Sequence, residues 1–175
     1  MIAVVFSVGE ETTDICVEAL EKQGCEVIVL DSQSSFVDKF RQMCDMNLDE
    51  LIRVDADIIV NDNLKAYLDL ARESRSWCKP YGWIWWDQNY STISVCYFDK
   101  YIINQLKTHM NDPELLKTKR PERYLWCLDD IPTTKVDLPV GIKGYGVRDL
   151  RKTISTKDGR GQKYDWDWVR KLNSL

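Results

Sequence analysis

Two aspartates interrupt an otherwise apolar segment, LIRVDADIIV, at residues 51–60. In an extended strand, residues two apart point to the same side, so Arg53, Asp55 and Asp57 are predicted to share one face, with the carboxylates about 7 Å apart at the backbone. Charges inside a protein are costly unless they are paired or bind a metal ion. Carboxylate oxygens suit Mg²⁺ or Mn²⁺, with a diphosphate completing the coordination shell. The segment therefore either ends at a cation site or turns two aspartates towards water.

Further carboxylates follow other predicted elements. Asp31 ends the apolar run CEVIVLDS, and the pair Asp129 and Asp130 ends the segment ERYLWCLDD. Asp31 falls at the carboxyl end of a predicted strand, which is where ligands bind in open α/β sheets. Each also fits a plain structural role, Asp31 as a cap before Ser32 and the pair as turn residues before Pro132.

The elements that must position these side chains alternate along the first third of the chain. IAVVFSV (2–8) is apolar throughout, as expected for a strand covered on both faces. TTDICVEALEKQ (12–23) has the spacing of an amphipathic helix, and Gly24 is a typical helix C-cap residue. CEVIVLDS (25–32) predicts a second strand, after which Ser34 or Ser35 can cap a helix.

LIRVDADIIV is predicted as one continuous third strand, and a helix is predicted to follow Asn63. The order β-α-β-α-β-α predicts parallel strands joined by right-handed crossovers, with ligands bound beyond the carboxyl ends of the strands. The fold class is therefore α/β, a single Rossmann-like domain with a mostly parallel sheet.

The pattern changes after residue 75. KPYGWIWWDQNYSTISVCYF (79–98) predicts two aromatic strands around a polar turn, and DKYIINQLKTHM (99–110) predicts a helix. ERYLWCLDD (122–130) predicts one or two helical turns, whereas the Pro- and Gly-rich stretch 132–150 predicts a loop. Aromatic rings can stack on sugars, but most of them are core residues, so Trp85 has both interpretations.

Composition bounds the class of protein. The chain has 175 residues, of which 44% are hydrophobic and 30% charged, which is typical of a globular domain. No apolar run approaches the roughly 20 residues of a membrane span. MIAVVFSV has no basic leader and the sequence becomes acidic directly after it, so this segment is predicted to be a strand and not a signal peptide. Six cysteines without a CxxC pair predict buried thiols in a reducing compartment, so a cytoplasmic location is expected.

Charge is unevenly distributed. Residues 135–175 carry ten Lys and Arg against five Asp and Glu, whereas residues 1–134 carry 14 against 23. We therefore divide the chain into an acidic body, 1–134, and a basic Gly- and Trp-containing tail, 135–175, that packs on the same domain. The tail could meet an anionic ligand, but the acidic body would repel phosphates, which argues against nucleic acid as a partner.

The first 70 residues resemble the nucleotide-binding half of a GT-A fold glycosyltransferase, and are most similar to the inverting family 2 enzymes in a short form. IAVVFSVGEETTDICVEALEKQ resembles the opening strand and helix of that family. EVIVLDSQSS resembles its second strand with a nucleotide-contacting aspartate, and DELIRVDADIIV resembles the strand that carries a DxD motif, here Asp55-Ala56-Asp57.

The resemblance implies a metal-dependent glycosyltransferase that moves a sugar from a nucleotide-sugar donor to an acceptor hydroxyl with inversion. It implies that Asp57, with Asp55, holds Mn²⁺ or Mg²⁺. It also implies that the nucleotide sugar contacts the residues Asp31, Arg53, Asp55 and Trp85. Inversion needs a general base, for which the matching residues are Asp129 and Asp130, followed by Glu122.

The sequence leaves the donor, the acceptor and the chemistry open. A UDP-sugar is the working choice of donor, although no residue distinguishes UDP from GDP, and the acceptor is unspecified. The acceptor half is short for family 2, so an inactive nucleotide-sugar-binding or interaction module of the same fold is an alternative. A nucleotidyltransferase is a weaker one, because SVGEETT lacks a Gly-rich basic phosphate loop.

Overall fold

Runs of apolar residues form the strands, and segments with apolar residues three and four apart form the helices. The structure is a computed structural model that describes residues 1–10, 12–31, 34–74, 76–80, 94–119, 121–136, 138 and 140–143. Its elements, in chain order, are β1 (Ile2–Phe6), α1 (Thr13–Lys22), β2 (Glu26–Leu30), α2 (Phe36–Asp45), β3 (Glu50–Asp55), β4 (Ile58–Val60), α3 (Leu64–Ser74), β5 (Trp77–Pro80), β6 (Val95–Asp99), α4 (Lys100–His109), α5 (Pro113–Lys117), α6 (Pro121–Trp126), β7 (Thr133–Val136) and β8 (Gly141–Lys143).

Six of these strands form one mixed, mostly parallel sheet in the order β2-β1-β3-β6-β5-β7. β1 pairs in parallel with both β2 and β3, and β5 pairs in parallel with β7. β6 is antiparallel to its neighbours β3 and β5. The predicted α/β fold class with a mostly parallel sheet is confirmed.

The sheet is covered on both faces, as the unbroken apolar run of β1 predicts. Ala3 and Val5 belong to one core cluster, which includes residues of α1 and α3. Val4 and Phe6 belong to a second cluster, which includes residues of α2 and α4. Because successive side chains of a strand point to opposite faces, burial on both faces requires apolar residues at every position.

Two predicted helix boundaries are confirmed by backbone geometry. Gly24, which follows the end of α1, has a φ of 78°, and glycine adopts this left-handed conformation without a Cβ penalty. The side chain of Ser35 accepts a hydrogen bond from the Asp38 backbone N–H at the start of α2. Such a bond satisfies one of the amide groups that a helix leaves open at its first turn.

The single strand predicted for residues 51–60 is wrong. β3 ends at Asp55, residues 56 and 57 form a turn, and β4 pairs antiparallel with β8 in a separate two-stranded sheet. Asp57 therefore does not share a strand face with Arg53 and Asp55 as predicted. Alternating polarity continued through the turn, so the sequence pattern did not reveal where the chain leaves the large sheet.

The loop predicted for residues 132–150 is also wrong in part, because it contains β7 and β8. β7 pairs with β5 and β8 pairs with β4, both of which lie far away in the chain. These partners supply the backbone hydrogen bonds that a Pro- and Gly-rich segment does not suggest locally. Most of the remaining residues of this stretch, and the basic tail beyond it, lie outside the described residues.

Gly141 is expected to be intolerant of any side chain. A Cβ on Gly141 would lie 2.4 Å from the backbone oxygen of Ile59 and 3.0 Å from its carbonyl carbon. Gly141→Ala should therefore push β8 away from β4 and lower the free energy of unfolding by about 3 kcal/mol, measured by urea denaturation. Gly24→Ala is the control, because a Cβ there meets no atom within 4 Å and costs only about 1–2 kcal/mol of backbone strain. Equal losses in the two variants would contradict the predicted clash.

The cysteines are free thiols, and five of the six are buried, with Cys127 exposed. The prediction of small buried residues is thus confirmed for those five. No helix in the described part of the chain has the length and apolarity needed to cross a membrane.

Candidate functional site

Parallel pairing brings the ends of β1, β2 and β3 to one edge of the sheet. Phe6 is in register with both Leu30 and Asp55. Adjacent strands lie about 4.8 Å apart, so the residues that follow these three emerge side by side, with Asp31 and the β3 turn on either side of the β1 end. The structure thus places Asp31, Asp55 and Asp57 along the edge where ligands bind in open α/β sheets.

Arg53 holds Asp55 in place. The Arg53 guanidinium forms an ion pair with Asp55 Oδ1, and the side chains of these residues are 4% and 28% exposed. The guanidinium carbon also lies 4.9 Å from the ring centre of Phe6 and 5.1 Å from that of Phe36. Arg53 is therefore a buried cation compensated by a carboxylate and by aromatic faces. The ion pair fixes the orientation of the Asp55 carboxylate.

The charges of three carboxylates act on the buried thiol of Cys16, which lies in the first turn of α1. Burial raises the pKa of this thiol, and the negative charges of Asp57, Asp55 and Glu10 raise it further. Cys16 Sγ also lies 3.8 Å from the backbone oxygen of Asp55. The turn after β3 and the loop after β1 therefore place their carboxylates where they act on the same thiol. The sequence analysis did not predict that Glu10 belongs with the two aspartates.

Glu10 also shapes the loop that follows β1. Its Oε2 accepts hydrogen bonds from Ser7 Oγ at 2.9 Å and from the Val8 N–H at 2.6 Å. The Gly9 N–H donates to Ser7 Oγ at 3.0 Å, and Gly9 has a φ of 87°. The loop is thus fixed by its own polar side chains at the edge of the sheet.

Lys39 is a buried cation at the same edge. It lies on α2, is 2% exposed, and its Nζ donates to the backbone oxygen of Ser7. Sequence reasoning missed this residue. The signal was present, because Lys39 falls three residues after Phe36 and four before Met43, on the buried face of the helix.

The other predicted site residues are placed as follows. Asp31 is exposed beyond β2, and Trp85 lies outside the described residues. Glu122 is half-buried in the first turn of α6, and Asp129 and Asp130 are exposed in the connection between α6 and β7. The structure therefore brings Arg53, Asp55 and Asp57 together, and it places the candidate bases on a different segment.

Asp130 forms an ion pair with the histidine at the end of α4. Its Oδ2 lies 2.8 Å from His109 Nε2, and Asp112 Oδ2 lies 2.8 Å from His109 Nδ1. Burial lowers the pKa of His109, but the hydrogen bonds to Asp112 and Asp130 outweigh it and raise the pKa above its usual value. The sequence placed this residue on a helix without assigning it a partner.

The raised pKa of His109 predicts a pH dependence of stability. A group whose pKa is higher in the folded chain stabilises it at pH values below the unfolded pKa, about 6.5. That contribution is lost as the pH rises through the folded pKa. Urea denaturation should therefore show the free energy of unfolding falling as the pH rises above about 6.5, and falling less in His109→Gln. Parallel pH profiles would contradict the ion pairs.

The carboxylates near β3 fit a divalent cation by the chemistry of their oxygens. Mg²⁺ is commonly bound by one or two carboxylates, with water and substrate phosphates as the other ligands. Asp57, with Asp55 beside it, could supply such a pair. Within the described residues, no three His, Cys, Asp or Glu side chains form a group that could hold a metal ion.

Comparison with known proteins gives similarity in structure alone. No protein-family profile and no curated protein matches the sequence. A glycosyltransferase involved in glycosylation of the major capsid of PBCV-1 superposes with a TM-score of 0.57 at 10% identity, over 86% of this chain and 97% of that one. A hypothetical transferase from Thermus thermophilus gives 0.54 at 13% identity, over 85% of this chain and 98% of that one.

A third solved structure extends the comparison to a longer protein. The glycosyltransferase GlyE of Streptococcus pneumoniae TIGR4 superposes with a TM-score of 0.56 at 12% identity. The match covers 99% of this chain and 60% of GlyE. At such identities the similarity describes the fold and not the activity. The chain has the GT-A-like α/β fold of these glycosyltransferases, and Asp31, Asp55 and Asp57 follow the carboxyl ends of its strands β2 and β3.

Proposed function

We propose that the chain is a transferase that moves a sugar from a nucleotide-sugar donor to an acceptor hydroxyl. The observation that carries the proposal is the placing of Asp55 and Asp57 at the end of β3, with Arg53 orienting Asp55 and Glu10 close by. This edge is where ligands bind in open α/β sheets. The GT-A-like fold, shared with glycosyltransferases, supports the same interpretation.

Each carboxylate at this edge has a proposed role. Asp31, exposed beyond β2, contacts the nucleoside. Asp57, with Asp55, holds Mg²⁺ or Mn²⁺, and Arg53 keeps the Asp55 carboxylate in its orientation. Such a cation, when bound, neutralises charge on the diphosphate of the donor. The fixed Ser7–Glu10 loop and the buried charge of Lys39 shape the adjoining wall of the site.

An inverting transfer also requires a base that takes the proton of the acceptor hydroxyl. We propose that this base lies in the segment containing Glu122, Asp129 and Asp130, of which the two aspartates are exposed. The short acceptor half does not exclude transfer. The superposition covers 97% of the PBCV-1 glycosyltransferase, so this chain matches nearly the whole of a protein that is described as a glycosyltransferase.

Thermal stability measured against UDP, GDP, CDP, TDP and ADP, each with and without Mn²⁺, tests the donor site. A ligand that binds only the folded chain stabilises it by about 2.7 kcal/mol at a hundredfold excess over Kd. We expect one diphosphate, with UDP as the first choice, to raise the melting temperature only with Mn²⁺. The corresponding donor sugars are then assayed for transfer and for hydrolysis.

The outcomes separate the proposed enzyme from its alternatives. Metal-dependent binding followed by turnover supports the transferase. Metal-dependent binding without hydrolysis or transfer of any donor favours an inactive nucleotide-sugar-binding module. If no diphosphate stabilises the chain with or without Mn²⁺, the donor site is refuted, and the aspartates after β3 are a polar strand end.

A further inference from the structure

Arg53 is a buried cation in β3, two residues before the aspartate with which it pairs. Its backbone lies in the middle of the large sheet, with β1 on one side and β6 on the other. Its guanidinium pairs with Asp55 Oδ1 and lies over the rings of Phe6 and Phe36. Because a carboxylate, two aromatic faces and both neighbouring strands hold this residue, the ion pair is a fixed part of the sheet edge.

The ion pair lowers the charge that the candidate cation site offers. A guanidinium stays protonated at all pH values that a protein meets, so Arg53 offsets the negative charge of Asp55. Arg53, Asp55 and Asp57 together carry two negative charges and one positive charge. The Asp55 side chain is 28% exposed, so part of its surface faces solvent. The site therefore presents carboxylate oxygens to a cation with only part of the attraction that two aspartates would supply.

Few further ligands for a cation are found in the described part of the chain. Glu10, whose charge acts on the same thiol as those of the two aspartates, already accepts hydrogen bonds on Oε2 from Ser7 Oγ and from the Val8 N–H. No three His, Cys, Asp or Glu side chains among the described residues form a group that could hold a metal ion. Where protein carboxylates are few, Mg²⁺ keeps several waters and takes substrate phosphates as ligands. A diphosphate would supply both the missing oxygens and the missing negative charge.

We propose that Arg53 acts as the resident counter-ion of Asp55 and thereby makes cation binding conditional on the diphosphate, an inference that rests on the proposed function. Without nucleotide, the guanidinium of Arg53 competes with a divalent cation for Asp55 and repels it. With nucleotide, the negative charge of the diphosphate offsets this repulsion and its oxygens complete the coordination shell. The chain therefore takes up the cation and the diphosphate together, and by linkage each strengthens the binding of the other by the same factor.

The wild-type chain tests this coupling without any catalysis. Electron paramagnetic resonance of free Mn²⁺ gives the dissociation constant of Mn²⁺ with and without the diphosphate found in the thermal panel, corrected for Mn²⁺ bound by that diphosphate in solution. We expect Mn²⁺ alone to bind on the order of 100-fold more weakly than Mn²⁺ with diphosphate. Equal affinity in the two conditions overturns the inference, whatever the variants show.

Arg53→Met tests whether Arg53 is the cause. Methionine removes the charge but packs well on aromatic rings such as those of Phe6 and Phe36. We expect Mn²⁺ alone to bind this variant on the order of tenfold more tightly than the wild type, whereas the affinity for the diphosphate should not rise. A damaged fold would weaken both ligands, so opposite shifts identify a charge effect. Arg53→Lys keeps a cation beside Asp55 and should bind Mn²⁺ alone as weakly as the wild type.

Lys39→Met is the matched control, because it removes a second buried cation from the same edge. Lys39 is 2% exposed, and its Nζ donates to the backbone oxygen of Ser7 and not to a proposed ligand of the cation. We expect Lys39→Met to tighten Mn²⁺ binding less than Arg53→Met does. Equal tightening in the two variants would show a general effect of charge at this edge, and would overturn the specific role of Arg53.

The outcomes distinguish this inference from the proposed function. Weak binding of Mn²⁺ alone to the wild type, with tightening in Arg53→Met and not in Arg53→Lys, supports the conditional site. Metal-dependent diphosphate binding to the wild type, without any tightening of Mn²⁺ in Arg53→Met, overturns the role of Arg53 and leaves the transferase intact. If no diphosphate binds the wild type in any condition, the proposed function is refuted and the conditional site with it, even where Arg53→Met binds Mn²⁺.

Discussion

Replacing Asp57 with alanine is expected to abolish the Mn²⁺-dependent stabilisation by a nucleoside diphosphate and to lower the rate of transfer by on the order of 10²–10³-fold. The physical reason is the position of this residue. Asp57 lies in the turn directly after β3, and its charge acts on the same thiol as those of Asp55 and Glu10. Without Asp57, the proposed metal-binding pair is reduced to Asp55, whose charge Arg53 already compensates.

The fold should survive this substitution, because Asp57 lies in a turn outside both sheets. The melting temperature without ligand is therefore measured first, followed by the response to diphosphate with and without Mn²⁺. Asp62→Asn is a matched control, since Asp62 is an exposed aspartate five residues further on that accepts from Gln23 Nε2 at 2.8 Å. If Asp57→Ala keeps the metal-dependent response of the wild type, the proposed cation site is wrong.

Local sequence signals were sufficient for the first four elements, β1, α1, β2 and α2. The apolar runs of β1 and β2 and the helical spacing of α1 and α2 each predict an element without reference to distant residues. Gly24, with a φ of 78°, marks the end of α1, and Ser35, whose side chain accepts a hydrogen bond from the Asp38 N–H, marks the start of α2. These features depend on residues that are only a few positions apart in the chain, and they can therefore be predicted from the sequence.

Other features depend on partners that are remote in the chain. The end of β3 at Asp55 follows from β4 leaving the large sheet to pair with β8, and no residue within 51–60 signals that exchange. β7 forms on β5 although its own sequence resembles a loop. Strand formation in such segments is decided by tertiary pairing and not by intrinsic preference.

The candidate site was likewise only partly predictable. Alternation placed Arg53 and Asp55 on one side of a strand, but it could not show that Arg53 would be covered by Phe6 and Phe36 and bound to Asp55 itself. Lys39 and His109 acquire their roles from Ser7 and Asp130, which are 32 and 21 residues away in the chain. Long-range polar pairs of this kind have no periodic signature.

Replacing Asp129 with asparagine is expected to lower kcat by about 10²–10⁴-fold, the range that a general base contributes. Asparagine has the same shape but cannot take the acceptor proton at neutral pH. Asp129 is exposed, so the loss should occur without a change in the free energy of unfolding. Donor binding should also be retained, because the residues proposed to bind the donor lie at the ends of β2 and β3, on different segments from the proposed base.

The pH profile of kcat identifies the base among the three candidates. In the wild type, kcat should fall at acid pH as the base becomes protonated, and this acid limb should be missing from the residual activity of Asp129→Asn. Glu122→Gln removes a neighbouring carboxylate on α6 and should keep both the rate and the acid limb. A loss confined to Glu122→Gln would move the base to α6. A loss in Asp130→Asn as large as that in Asp129→Asn, with the acid limb also missing, would instead make Asp130 the residue that takes the proton.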